Sequence, residues 1–276
     1  MIRKPFRSRL AAFSILLWSL TVSAAPPEMP VGIEHAQLMG TLTLKGQLFH
    51  VQGVEVDSEH IWVTSLSRLR GRGFIHQFDR ATGAFQRRLE LTDGPRYHPG
   101  GISVHGGSIW VPVAEMKPHS TSVLVEIDKH SFQVRRRINV ADHLGCVAAS
   151  GNTLIAGNWD SKQLHVFDLT GTEPARIVQN PVRTRFQDMK LIGGQLVAGG
   201  LLSGRNGSID WFDWPSMRHL RRLKTGTTPS DGSLRPVTGF TGEGMTLEGR
   251  DLYLVPEDGP SRMFHFRLDT AIAGNL

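Results

Sequence analysis

The chain has 276 residues, with 31 Lys and Arg against 25 Asp and Glu. It is 39% apolar and 20% charged, which excludes wholesale disorder. Its 30 Gly and 15 Pro follow no collagen-like period, and Ala-, Leu- and Glu-rich runs are missing; a helical bundle or coiled coil is excluded and many short strands are favoured.

The first 24 residues read as a secretory signal peptide. Arg3, Lys4, Arg7 and Arg9 form a positive start with no acid, Leu10–Val22 is a 13-residue, mainly apolar run, and Val22-Ser23-Ala24 offers small residues before a cut. The apolar run is shorter than the roughly 20 residues that a membrane span requires. Cleavage and export to the periplasm or the medium are therefore expected, with no stable membrane span afterwards. Taking those four cations from the 31 leaves 27 against 25 acids, or +2, which gives no footing for nucleic-acid binding. Residues 25–35 read as a short linker and 36–276 as one domain. The single cysteine, Cys146, sits in the apolar run Gly145–Ala149. It cannot form an internal disulfide and reads as a small buried hydrophobe.

A repeat runs through the rest of the chain. Its copies are strand pairs: His50–Val56 with Ile61–Thr64, His98–Val104 with Ile109–Pro112, His143–Ala149 with Leu154–Gly157, Arg185–Leu191 with Leu196–Gly199, and Thr241–Leu247 with Leu252–Val255. The copies start 48, 45, 42 and 56 residues apart. Most are followed by a second hairpin, such as Gly73–Phe78 turning through Asp79–Gly83 into Phe85–Leu91. Four strands per roughly 45 residues is the pattern of an all-β propeller. Five blades are expected, with six as the alternative because the 56-residue interval has room for irregular strands. The last copy lacks an outer strand, and the N-terminal segment His35–Lys45 is expected to supply it and close the ring. Gly226–Thr238 reads as a long loop.

In a propeller the start of each first strand and the end of each second strand meet at one rim of the central channel. The first group contains His50, Gln52, His98, His143, Arg185, Gln187, Asp188 and Glu243. The second contains Glu115, Asn158, Asp160, Glu257 and Asp258. Gly53, Gly101 and Gly244 are read as thinning the channel wall so that a ligand or ion can approach the backbone. Three neutral imidazoles (His50, His98, His143) and the Glu243 carboxylate are a sufficient donor set for zinc. The oxygens of Glu243, Asn158, Asp160 and Glu257 suit calcium instead. In the metal-free alternative the histidines act as acid and base. Glu243, Arg185 and Glu115 are the catalytic candidates; Gln52, Gln187, Asp188, Asn158, Asp160 and Glu257 are the substrate-binding candidates. The basic loop Arg68, Arg70, Arg72 reads as solvated surface, and Trp62, Trp110, Trp211 and Trp214 as blade-packing aromatics.

The segments HVQGVEV, RYHPGGI, PVAE with PHS, GNWD, EGM and PEDGPS resemble a family of exported bacterial propeller proteins, from about residue 36 to 270. More distantly the chain resembles gluconolactonase-like, streptogramin-lyase-like and glutaminyl-cyclase-like propellers. That resemblance implies a metal or an acid at the channel mouth. Glu243 in Gly-Glu-Gly-Met resembles the first-strand metal Glu of the lactonase group, and Asn158 its Asn. The expected protein is a monomeric envelope propeller acting as a small-molecule hydrolase or lyase. The alternative is a non-catalytic module that binds a ligand or an envelope protein.

Overall fold

The computed structural model describes residues 32–230, 237–256, 258 and 260–270. The expected signal peptide, most of the linker and Glu257 lie outside them. Among the described residues there is no helix, hence none long and apolar enough to cross a membrane. The described strands form five sheets, arranged as the five blades of a β-propeller.

Strand β1 (Ala36–Thr43) comes first. The first blade is β2 (His50–Val56), β3 (His60–Ser67), β4 (Arg72–Asp79) and β5 (Phe85–Glu90). The second is β6 (His98–Pro99) and β7 (Ser103–His105), then β8 (Ser108–Ala114), β9 (Ser122–Asp128) and β10 (Val134–Val140). The third is β11 (Leu144–Ser150), β12 (Thr153–Asn158), β13 (Gln163–Asp168) and β14 (Pro174–Gln179). The fourth is β15 (Arg185–Ile192), β16 (Gln195–Ser203), β17 (Asn206–Asp213) and β18 (Arg218–Thr225). The fifth is β19 (Gly244–Glu248), β20 (Asp251–Val255) and β21 (Arg262–Leu268). On the outside of this last sheet β1 lies antiparallel to β21, with Ala36 opposite Leu268 and Thr43 opposite Arg262. The interval that left room for a sixth blade carries an antiparallel bridge between Thr227 and Gly239, and its residues 231–236 lie outside the described set.

Side-chain chemistry explains the layering. The second strands β3 and β8 are buried along almost their whole length between neighbouring blades, which is why each carries the apolar stretch Ile-Trp-Val, Ile61–Val63 and Ile109–Val111. Each pair of adjacent blades shares one apolar layer. Trp62, Ile75, Ile102 and Val111 fill the layer between the first two blades. Trp211, Phe240, Met245 and Phe264 fill that between the last two. Burying each such side chain contributes about 1.5–3 kcal/mol. Trp62, Trp110 and Trp211 are packing residues, as expected.

The third strand of every blade carries a polar residue at its centre: His76, Glu126, His165, Asp210 and His265. Each has a partner inside its neighbourhood. His76 pairs with Ser65, Glu126 with Ser108 and Arg136, His165 with Asp142, Asp210 with His219 and Arg222, and His265 with Asp251. Such latches give each of these side chains a polar partner, while the buried Nδ1 atoms of His76 and His165 have none. Tight turns follow these strands because an Asp side chain accepts from the backbone just beyond it. Asp79 does so with Thr82, Asp128 with Ser131, and Asp168 with Thr170.

The channel is closed at mid-depth, and the glycines do the opposite of what their sequence positions suggested. A Cβ on Gly53 would lie 2.7 Å from Gly100 O, and one on Gly244 would lie 2.7 Å from Val54 N. One on Gly101 would lie 2.5 Å from Gln187 O and 2.7 Å from Asp188 Oδ1. The space beside these glycines is filled by the backbone of other blades, so no ligand approaches there. The same contact splits the first strand of the second blade into β6 and β7: Gly101 N donates to Gly145 O, and Val147 N to Gly101 O, binding it to the next blade instead of its own. Gly101→Ala is expected to cost roughly 1–3 kcal/mol, because backbone must move. Calorimetry should show Tm lower by several degrees; an unchanged Tm would mean the inner strands are not in contact.

Asp188 and Lys190 of β15 and Glu55 of β2 occupy this closed section. Asp188 accepts from the N–H of Val54, Met189 and Met245, and from Lys190 Nζ at 2.8 Å. Lys190 also donates to Ile102 O and lies 3.6 Å from Glu55 Oε2. Four blades are thereby tied at the axis. Asp188, expected among the substrate-binding residues, therefore has its oxygens engaged within the scaffold and does not line the cavity at the channel mouth.

Candidate functional site

Above the closed section, one mouth of the channel opens into a cavity of about 300 Å³. His50 and Gln52 reach it from β2, His98 from β6, His143 from just before β11, and Arg185 and Gln187 from β15. Glu243 sits in the turn just before β19. The register of the repeat thus brings the three histidines to one cavity, with the His98 and His143 rings 5.6 Å apart in a T-shaped contact.

Gln52 organises the centre. Its amide donates to Val51 O at 2.7 Å and to Glu243 Oε2 at 2.9 Å, and its Oε1 lies 2.8 Å from His98 Nε2. Both amide hydrogens being spent, Oε1 accepts the Nε2 proton of His98. The neutral ring then has its lone pair on Nδ1, which is buried and without a partner. Burial and the neighbouring His143, His50 and Arg68 push His98 down to about 3, so it is uncharged at neutral pH. His143 Nδ1 lies 3.0 Å from Lys117 O and donates to it, leaving Nε2 as the acceptor; the ring packs edge-on to Trp159 at 4.5 Å. Burial lowers this histidine too, against the pull of Lys117 O, Asp142 and Glu115.

Glu243 and Asp258 flank His50. His50 Nδ1 lies 3.1 Å from Asp258 Oδ1, and its Nε2 is 3.8 Å from Glu243 Oε1. Burial, then the charge of Asp258, raises Glu243 well above its ordinary value of 4.5 against the pull of Arg68, so its carboxyl keeps a proton beyond the usual range. Burial would also lift Asp258, but His50, the Val51 N–H and Arg68 outweigh it and hold that carboxyl low. Two carboxyls on either side of one imidazole are thereby driven apart in acidity, a pattern that separates a proton donor from a charged orienting group.

Several expected site residues lie elsewhere. Glu115 accepts from Thr121 N and Oγ1 and pairs with Lys117 at 3.2 Å. It staples the loop whose Lys117 carbonyl holds His143, and does not line the cavity. Asn158 uses Oδ1 for Gln163 N, and Asp160 pairs with Lys162 at 2.6 Å. Asn158 ends β12 and Asp160 sits in the turn that follows it. Trp159, between them, is the one that reaches the cavity. The calcium set is therefore not gathered here. Among the described residues no group of three or more His, Cys, Asp or Glu is arranged to hold a metal ion. The zinc set shares the cavity, but His98 Nε2 and Glu243 Oε2 are both spent on Gln52. Cys146 is wholly buried, and burial holds its thiol well above the ordinary cysteine value.

Arg68, expected from the sequence to be solvated surface, lines the cavity. It follows the second strand of its blade, the register that singled out Glu115 and Asn158. Met116, Phe186 and Leu201 add apolar wall, for which the repeat gave no signal.

Buried neutral histidines make the fold acid-sensitive. His76, like His98, is pushed by burial to about 3. The unfolded chain takes protons at about 6.5 that the native rings refuse, so stability is lost as pH falls from there toward 3. Tm measured from pH 7 to 4 should fall, and less steeply for His76→Phe; an identical pH dependence in the variant would contradict this.

These observations define a five-bladed propeller with a polar, proton-holding cavity at one channel mouth. The chain belongs to the family of unknown function DUF6454, whose model matches residues 39–191. No curated protein matches it. Among solved structures it is similar to the glutaminyl cyclase of Myxococcus xanthus: TM-score 0.60, 13% identity, covering 86% of this chain and 97% of that one. The WD40 domain of Neurospora crassa Pan2 aligns with TM-score 0.46 and 8% identity over 90% of this chain and all of that one. The likeness to glutaminyl-cyclase-like propellers expected from sequence thus holds at the level of the fold.

Proposed function

We propose that the channel mouth is the active site of an enzyme that works by proton transfer, a hydrolase or lyase for a polar substrate bearing an anionic group. The observation that carries this reading is the Asp258–His50–Glu243 arrangement at the wall of an open cavity. Asp258 fixes the Nδ1–H form of His50 and leaves Nε2 as a base. Glu243 Oε2 accepts from Gln52, so the proton it retains sits on Oε1, toward His50. At 3.8 Å the two do not bond directly. One polar atom of a ligand can touch both. Glu243 then donates to the departing group while His50 Nε2 removes a proton from the attacking water or from the substrate. Arg68 and Arg185 form no ion pair among the described residues and are placed to hold the anionic group.

The test is turnover of a panel of lactones, esters and peptides with N-terminal glutamine, the last because the similar Myxococcus xanthus protein is a glutaminyl cyclase. Turnover by the wild type and its loss in Glu243→Gln support the reading. Ligand-induced thermal stabilisation with no turnover anywhere on the panel would point to the non-catalytic binding module instead.

A further inference from the structure

The cavity does not end at His50. His50 and Arg68 also line a second groove of about 470 Å³, together with Gln47, Phe49, Leu66, Leu69, Arg70 and Asp258. Its chemistry differs from that of the cavity. Phe49, Leu66 and Leu69 give it apolar wall, and Leu69, at the tip of the β3–β4 turn, is 97% exposed, the highest value among the described large apolar side chains. Arg72, two residues beyond Arg70, pairs with Glu90 at 2.7 Å, whereas Arg68 and Arg70 make no ion pair among the described residues. Asp258, the acid in the groove, is engaged with His50 and the Val51 N–H. The groove therefore presents two guanidiniums beside an exposed apolar shelf, continuous with the reacting cavity.

We propose that this groove is an extended subsite for the remainder of the substrate, and that the substrate is the end of an acidic peptide rather than a compact metabolite. Its terminal residue enters the cavity. The following residues lie along the groove, with an apolar side chain against Phe49 and Leu69 and a carboxylate on Arg70. A peptide fits this mixture better than a small anion does. A small anion would use Arg68 and Arg185 in the cavity and leave Arg70, Gln47 and the apolar shelf without a purpose. The inference rests on the catalytic reading for the identity of the cavity, but the groove is testable without turnover.

Three fluorescent hexapeptides of equal length with free N-termini, carrying two glutamates, two glutamines or two lysines, serve as probes in anisotropy titrations against the full chain. The acidic peptide should bind best, and its affinity should fall as salt screens the guanidiniums. Arg70→Glu should weaken it about tenfold, the size expected for losing one charge-assisted hydrogen bond, and Leu69→Ser should weaken it less. If the acidic peptide binds and Arg70→Glu weakens it, but Glu243→Gln leaves turnover on the panel unaffected, the catalytic reading falls and the groove stands. Equal binding of the acidic and basic peptides, or no effect of Arg70→Glu in a variant with unchanged Tm, overturns the groove. So does sedimentation of the protein with vesicles rich in anionic lipid when no peptide binds, which would assign Leu69 and its arginines to a membrane surface.

Discussion

Glu243→Gln should lower turnover of any substrate found on the panel by roughly 10²–10⁴-fold, the usual contribution of a positioned acid or base. The substitution keeps size and shape and removes only the exchangeable proton. Gln52 can still donate to the new amide oxygen, so the cavity should hold its form and substrate affinity should change little. A stability measurement separates the chemical effect from a structural one. The native carboxyl binds its proton more tightly than the unfolded chain does, because burial and Asp258 raise it above 4.5. That contribution to stability is fully present below 4.5 and is lost as pH rises through the native value. In Glu243→Gln this part of the pH dependence should vanish, leaving the variant no less stable than the wild type above that range. A variant that loses activity and also unfolds at neutral pH would place Glu243 in the scaffold instead.

Lys190→Met should be the most damaging single change in the axis. It leaves Asp188 and the largely buried Glu55 carboxylate without their shared cation. Breaking a buried pair in this way costs about 3–5 kcal/mol, which for a chain of this size lowers Tm by roughly 6–20 °C. Burial pulls the ammonium toward neutrality, but Asp188 and Glu55 outweigh it and hold Lys190 above the ordinary lysine value, so the charge is present to be lost. Adding Glu55→Gln to Lys190→Met should recover part of the loss, since one unpaired carboxylate is removed. Calorimetry on the two variants decides it. If Lys190→Met melts with the wild type, the trio does not hold the blades together.

The fold was legible because each blade repeats one pattern of small inner strand and apolar second strand. The histidine register was legible for the same reason: His50, His98 and His143 occupy matching positions, and matching positions meet at the axis. Depth along the axis was not legible. Gln187 and Asp188 are neighbours on one strand, so they differ in level and in facing. Gln187 lines the cavity, while Asp188 is drawn below it by three backbone N–H groups and Lys190. The local sequence does not distinguish them, because two of the donors, Val54 N and Met245 N, come from β2 and β19, far away in the chain. The loops were read by polarity alone. That favoured Glu115, Asn158 and Asp160, whose polar atoms turn back to cap their own loops, over Trp159 and Arg68, which face the ligand space. The glycines were misread for a related reason. A missing side chain marks a close approach, but sequence does not say whether a ligand or another strand makes it.

The central claim is that this channel mouth keeps a protonated Glu243 carboxyl poised 3.8 Å from the His50 ring. Carbon-13 NMR titration of the glutamate side-chain carboxyls, with the Glu243 signal assigned by its absence in Glu243→Gln, measures this without a known substrate. The account predicts one glutamate carboxyl that stays protonated well past pH 4.5 and ionises only after the exposed glutamates have done so. A Glu243 signal that titrates together with them would contradict it.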